Sequence, residues 1–152
     1  MMEDSEATIA WSLALLMGTV YLVGGMLWLL VSLGLPIPFP SIVDPISALV
    51  LVIIAVIFLS GTRPLRQGNR DGLGFIAVGV LLAGIMFGLQ LVILSTNYLG
   101  WLLGFEDWLS WNAMSNLTPT VWLFLLVILL FAIARAAEGD VEGGFTKHLF
   151  GR

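Results

Sequence analysis

The sequence predicts an all-α integral membrane protein, a four-transmembrane-helix bundle with a short interfacial amphipathic helix between helices 3 and 4. Composition gives the first sign. Of 152 residues, 59% are hydrophobic and 11% charged, against about a quarter charged in soluble domains. The second sign is the spacing of the charges. Charge-free stretches run from Ala7 to Val43, Pro45 to Thr62, Gly72 to Phe105 and Trp108 to Ala134, and each holds the roughly 17 to 25 apolar residues that cross a hydrocarbon core. Too few charged side chains remain to clothe a soluble core of this size.

The first span is expected over about residues 8–33, where the alternating prolines Pro36, Pro38 and Pro40 stop it by removing backbone donors. Glu3, Asp4 and Glu6 precede it where a cleavable signal would carry positive charge, so it is expected to remain as an anchor. Asp44 followed by Pro45 is a helix start, an N-cap and then a proline at the first helical position, and the second span is expected over 45–60. Residues 62–71, with Arg63, Arg66 and Arg70 among turn formers, form a polar loop. The positive-inside rule makes that loop cytoplasmic. The third span is expected over 72–94, and the fourth over 119–136, opened by Thr118 and Pro119 with the same cap-then-proline logic. Arg135, Lys147 and Arg152 then fall on the arginine-loop side. Charge and parity agree on a multi-pass protein of the cell membrane with both termini cytoplasmic.

Residues 97–116 join the third and fourth spans and carry an aromatic belt. Trp101, Phe105 and Trp108 recur at helical spacing, with Trp111 beyond, which predicts the short amphipathic helix lying in the outer interface, Glu106 and Asp107 turned to water. Plain anchoring is favoured over a lid. In the tail, 138–152, an acidic glycine-rich first half precedes Phe145, Leu149 and Phe150 among basic residues, a pattern suited to the inner membrane surface or to a docking partner.

In lipid, small residues and hydrogen-bonding groups mark the contact faces of helices. On the first span Trp11, Ala14, Gly18, Tyr21, Gly25, Trp28 and Ser32 alternate three and four apart, one heptad stripe. The third span has two stripes, Ala77, Gly84 and Gly88 on one and Gly79, Ala83 and Gln90 roughly opposite, so this helix is expected to be central with two neighbours. Gln90 is expected to be buried in an interhelical hydrogen bond, and this is favoured over substrate binding. The fourth span, large and apolar almost throughout, is expected at the periphery. Val20–Leu29 and Val80–Leu89 agree at Val, Leu, Gly, Met and Leu, which allows a loose repeat of two hairpins.

The spans contain no Asp, Glu, Lys or Arg at depth, so a proton relay, a proton-coupled antiporter or a voltage sensor is not expected. The lone histidine, His148, lies in the tail, which rules against bis-histidine haem. With no cysteine, thiolate chemistry is absent. Adjacent Glu106 and Asp107 point about 100° apart on a helix and make a poor acid/base pair. No catalytic, cofactor or metal residues are assigned and no cofactor or nucleic-acid partner is expected. Packing faces without chemistry point to a non-enzymatic accessory, assembly or structural subunit, surrounded by membrane lipid and joined to other membrane subunits or to copies of itself. The alternative is a small homo-oligomeric channel or transporter for an uncharged or weakly polar solute, lined by Gln90 and Tyr21. Sparse lysine with abundant arginine, glycine and acid suggests a prokaryotic source.

Overall fold

A backbone surrounded by acyl chains must satisfy its own hydrogen bonds, and a helix does so within one segment. The computed structural model describes residues 4–35 and 44–138, and there the apolar stretches are the helices α1 (Asp4–Ser32), α2 (Pro45–Arg66), α3 (Asp71–Leu102) and α4 (Pro119–Glu138). The first three are long and apolar enough to cross a membrane, while α4 carries a shorter apolar run, Pro119–Ala134. The proline segment 36–40 and the tail beyond Glu138 lie outside the described residues.

Consecutive helices are antiparallel. Gly18 of α1 faces Leu59 of α2 while Gly25 faces Val52, so the chains run in opposite senses; Gly72 and Gly79 of α3 meet Leu65 and Phe58 of α2 in the same way. Packing closes as a ring, α1 on α2, α2 on α3, α3 on α4 and α4 on α1, most extensive between α1 and α2. One end of the bundle carries the arginine turn between α2 and α3, the other the tryptophan-rich linker between α3 and α4.

The core lies between α1 and α2. Ala14, Tyr21 and Trp28 of α1 are buried together with Leu51, Ile54, Ala55 and Phe58 of α2, and the Tyr21 and Phe58 rings sit 5.8 Å apart between centroids. At Gly18 an added Cβ would strike the Leu59 side chain, and at Gly25 it would lie 3.0 Å from the backbone nitrogen of Val52. These two glycines set how closely α1 and α2 approach. Around α3, Ile76, Gly79 and Ala83 are buried, Gly79 against Phe58 of α2. Its neighbours in the ring are α2 and α4. α4 buries Val121, Val127 and Ala134 and leaves Trp122, Leu125, Ile128, Leu129 and Ile133 exposed.

Three helix ends differ from the sequence expectation by four residues or more. α1 starts at Asp4, earlier than residue 8. α2 continues past Ser60 through Pro64 to Arg66, because Leu65 is fully buried against Gly72, and a proline in the last turn removes only one hydrogen bond. The arginine turn is thereby short: Gly68 adopts φ 70°, and the Asn69 side chain donates through Nδ2 to the Asp71 carboxylate at 2.9 Å and accepts at Oδ1 from the Asp71 N–H at 3.0 Å. α3 likewise runs past residue 94 to Leu102.

The linker also takes a different form. In place of one amphipathic helix, α3 ends and two single 3-10 turns follow, Glu106–Trp108 and Ala113–Asn116. The cause is Gly104, at φ 70°, which closes α3 as a left-handed cap: the Phe105 N–H donates to the Gly100 carbonyl at 3.2 Å and the Gly104 N–H to Trp101 at 3.1 Å. Trp101 and Phe105 are therefore separated by a chain reversal and do not share a helical face.

Candidate functional site

The densest polar cluster in the described residues forms where the linker folds back on α3. Gln90 and Asn97 are seven residues apart, two turns of helix, so both project from one side of α3. The Gln90 amide donates to the backbone carbonyl of Asn116 at 2.9 Å, and the Asn97 amide donates to the Asn116 side-chain oxygen at 3.2 Å. Two indoles complete the cluster. Trp108 Nε1 donates to Asn97 Oδ1 at 3.0 Å, and Trp111 Nε1 donates to Asn116 Oδ1 at 2.5 Å. Asn116 is 5% exposed, so these bonds stand in for water that it has lost.

Local sequence explains the assembly. Gly100, one turn beyond Asn97, is buried under the Trp108 ring, and a Cβ there would come within 2.8 Å of it. Asn112 accepts from the Met114 N–H at 3.1 Å and starts the turn that carries Asn116. Every member of the cluster is neutral, so it moves no proton. Its physical effect is to fasten the linker to α3, each bond contributing about 0.5–1.5 kcal/mol net.

Gln90 is thus bonded to the linker and not to a neighbouring helix. Of the aromatic anchors named from the sequence, Trp108 and Trp111 are half-buried in the cluster, whereas Trp101 and Phe105 are exposed. Glu106 and Asp107 are exposed as well. Sequence reasoning missed Asn97, Asn112 and Asn116; the available signal was the recurrence of Asn beside Trp in a segment otherwise apolar. It also credited Thr118 with capping α4, but its buried hydroxyl has no hydrogen-bond partner. The Val121 N–H bonds instead to the Thr118 carbonyl at 3.1 Å. At the start of α2 the cap does form. Asp44 accepts from the Ile46 N–H at 2.9 Å and from the Ser47 hydroxyl at 2.6 Å. The Ser47 hydroxyl is the main cause holding the carboxyl below its ordinary pKa; burial opposes it, and the Ile46 and Ser47 N–H groups add smaller lowering effects.

The two small-residue stripes of α3 have different surroundings. Gly79 is pressed against the Phe58 ring, and Ala83 is buried. On the other stripe Ala77 is exposed, a Cβ on Gly84 would sit in ordinary contact with Phe124 at 3.5 Å, and Gly88 has nothing within 4 Å. Arg63 and Arg66 occupy the last turn of α2, where cations favour the helix dipole, and with Arg70 they are exposed. No group of three His, Cys, Asp or Glu able to hold a metal occurs among the described residues.

Apolar helices joined at closely approached glycines, with the charged groups of the described residues gathered at the ends, define an integral membrane protein whose long helices contact lipid. The chain belongs to the MJ0565 integral membrane domain family, whose model matches residues 4–136 and so takes in all four helices. A relative described as "Uncharacterized protein MJ0565", from Methanocaldococcus jannaschii, is 30% identical over 134 residues, covering 82% of this chain and 88% of that protein. No solved structure matches.

Proposed function

We propose that the chain is a non-enzymatic structural or accessory subunit of a larger complex in the cell membrane, oriented with both termini and the arginine turn in the cytoplasm. The observation that carries this reading is a small-residue stripe on α3 that is open at Gly74 and Gly88, exposed at Ala77 and touched only by Phe124 at Gly84. Gly74, Ala77, Leu81, Gly84 and Gly88 alternate three and four apart, about a third of a turn away from the Ile76, Gly79 and Ala83 face. A Cβ added at Gly74 or Gly88 would meet nothing within 4 Å. Facing lipid, a glycine supplies no packing and costs the helix about 1 kcal/mol relative to alanine; against another helix, it permits close approach. The heptad spacing of the stripe suits a second membrane helix crossing at a shallow angle.

The channel reading has less support. Tyr21 is enclosed between α1 and α2, while the Gln90 amide is bonded at the tryptophan end, so the two do not line a common path. Extraction from native membranes into nanodiscs, followed by native mass spectrometry, tests the proposal. A discrete assembly with a second polypeptide at fixed stoichiometry is expected, and Gly88→Leu should break it without altering the helicity of the isolated chain. Recovery of the chain alone with lipid contradicts the proposal, and a closed homo-oligomer transfers support to the channel.

A further inference from the structure

A groove at the arginine end joins a basic mouth to an apolar arm. The mouth, about 610 Å³, is lined by Trp11 and Leu15 of α1 and by Thr62, Arg63, Arg66 and Gln67 at the end of α2. The arm, about 310 Å³, runs along α1 past Ser12, Leu16, Thr19 and Val20. Trp11 and Leu15 line both, so the two form one feature.

The charge of the mouth is one-sided. Among the described residues its lining has two guanidiniums and no carboxylate. The Asp71 carboxylate, at the start of α3, is not among the lining groups and is bonded to Asn69. Depth is equally specific. At 1.5 Å per residue Arg63 and Arg66 stand about 27 and 32 Å along α2 from Pro45, the level at which a hydrocarbon core about 30 Å thick gives way to headgroups. From Trp11 to Val20 the arm reaches about 13 Å back toward the bilayer centre.

We propose that this groove binds an anionic phospholipid of the adjoining leaflet, its phosphate held by Arg63 and Arg66 and one acyl chain lying along Leu15, Leu16 and Val20. Guanidinium forks match phosphate oxygens in pairs. A zwitterionic headgroup would bring its ammonium against two cations, and a free phosphate would leave the apolar arm without an occupant. The site is independent of the α3 stripe.

The test is native mass spectrometry of the full chain released from nanodiscs containing equal phosphatidylglycerol and phosphatidylcholine. Wild type is expected to retain one phosphatidylglycerol per chain in preference to phosphatidylcholine. Arg63→Gln with Arg66→Gln should weaken that retention on the order of tenfold or more. Ser12→Trp, which fills the arm without changing charge, should weaken it too, while Arg70→Gln, outside the groove, should leave it intact. Circular dichroism should show wild-type helicity in all of these variants. Equal retention of the two lipids by wild type, or undiminished phosphatidylglycerol on the double arginine variant or on Ser12→Trp, overturns the proposal. So does displacement of the lipid by millimolar inorganic phosphate, which would mark a site for a free anion.

Discussion

Gly61 and Gly72 face each other across the α2–α3 hairpin, and each backbone carbonyl occupies the space that the other residue's side chain would need. A Cβ on Gly72 would lie 2.9 Å from the Gly61 oxygen and strike Leu65, and one on Gly61 would lie 3.0 Å from the Gly72 oxygen. Gly72→Val should therefore destabilise the purified bundle by about 1–3 kcal/mol through overpacking. Gly74→Ala, two residues on in open space, should be neutral or stabilising by up to about 1 kcal/mol from helix propensity. Unfolding in mixed micelles of rising denaturing-detergent content measures both. Equal losses would contradict the assigned faces of α3.

Removal of the Asn116 side chain leaves the Asn97 amide and the Trp111 indole without their acceptor. Asn116→Ala should cost about 1–3 kcal/mol locally. Amide exchange should accelerate over residues 103–118 while the α1–α2 core keeps its protection. Unchanged exchange in the linker would show that the cluster does not fasten it.

Asp44 carries a pH prediction. Its carboxyl is held below the ordinary value of 3.8 by the Ser47 hydroxyl and the first N–H groups of α2. With the folded value lowered, the contribution is fully present above the unfolded pKa and disappears as pH falls through the folded one. Asp44→Ala should cost about 1 kcal/mol near pH 7, and thermal unfolding of variant and wild type should converge as pH drops below 3.8. Asp44→Asn, which still caps, should lose far less. A gap that persists undiminished at low pH would count against the ionised cap.

The chain contains no cysteine, so single cysteines can report its orientation. With Arg66→Cys a membrane-impermeant maleimide should react only after the cells are opened, whereas with Asp107→Cys it should react on intact cells. The reverse pattern would invert the proposed topology.

The four-helix architecture was legible because charge is confined to the ends and turns, and the Asp44 cap because it is a local bond between near neighbours. What the sequence obscured depends on distant contacts or on a single backbone angle. Pro64 and the arginines read as loop, yet burial of Leu65 keeps α2 helical to Arg66. Trp101, Phe105 and Trp108 read as one helical face, but the left-handed cap at Gly104 turns the chain between them. Asn97 and Asn116 are 19 residues apart and meet only through the fold. Gly61 and Gly72 each look like a helix terminus, and only the hairpin reveals them as a pair. The distinction between Gly79, packed on Phe58, and Gly88, bare, is tertiary in the same way.

The most direct measurement is photocrosslinking in native membranes from a benzoyl-phenylalanine placed at Leu81, which lies on the small-residue stripe of α3 and is 62% exposed, compared with one at Ile128 of α4, 50% exposed. A subunit contact along Gly74, Ala77, Leu81 and Gly88 predicts a discrete adduct with one other polypeptide from Leu81 and only lipid adducts from Ile128. Lipid adducts alone from both positions would contradict it.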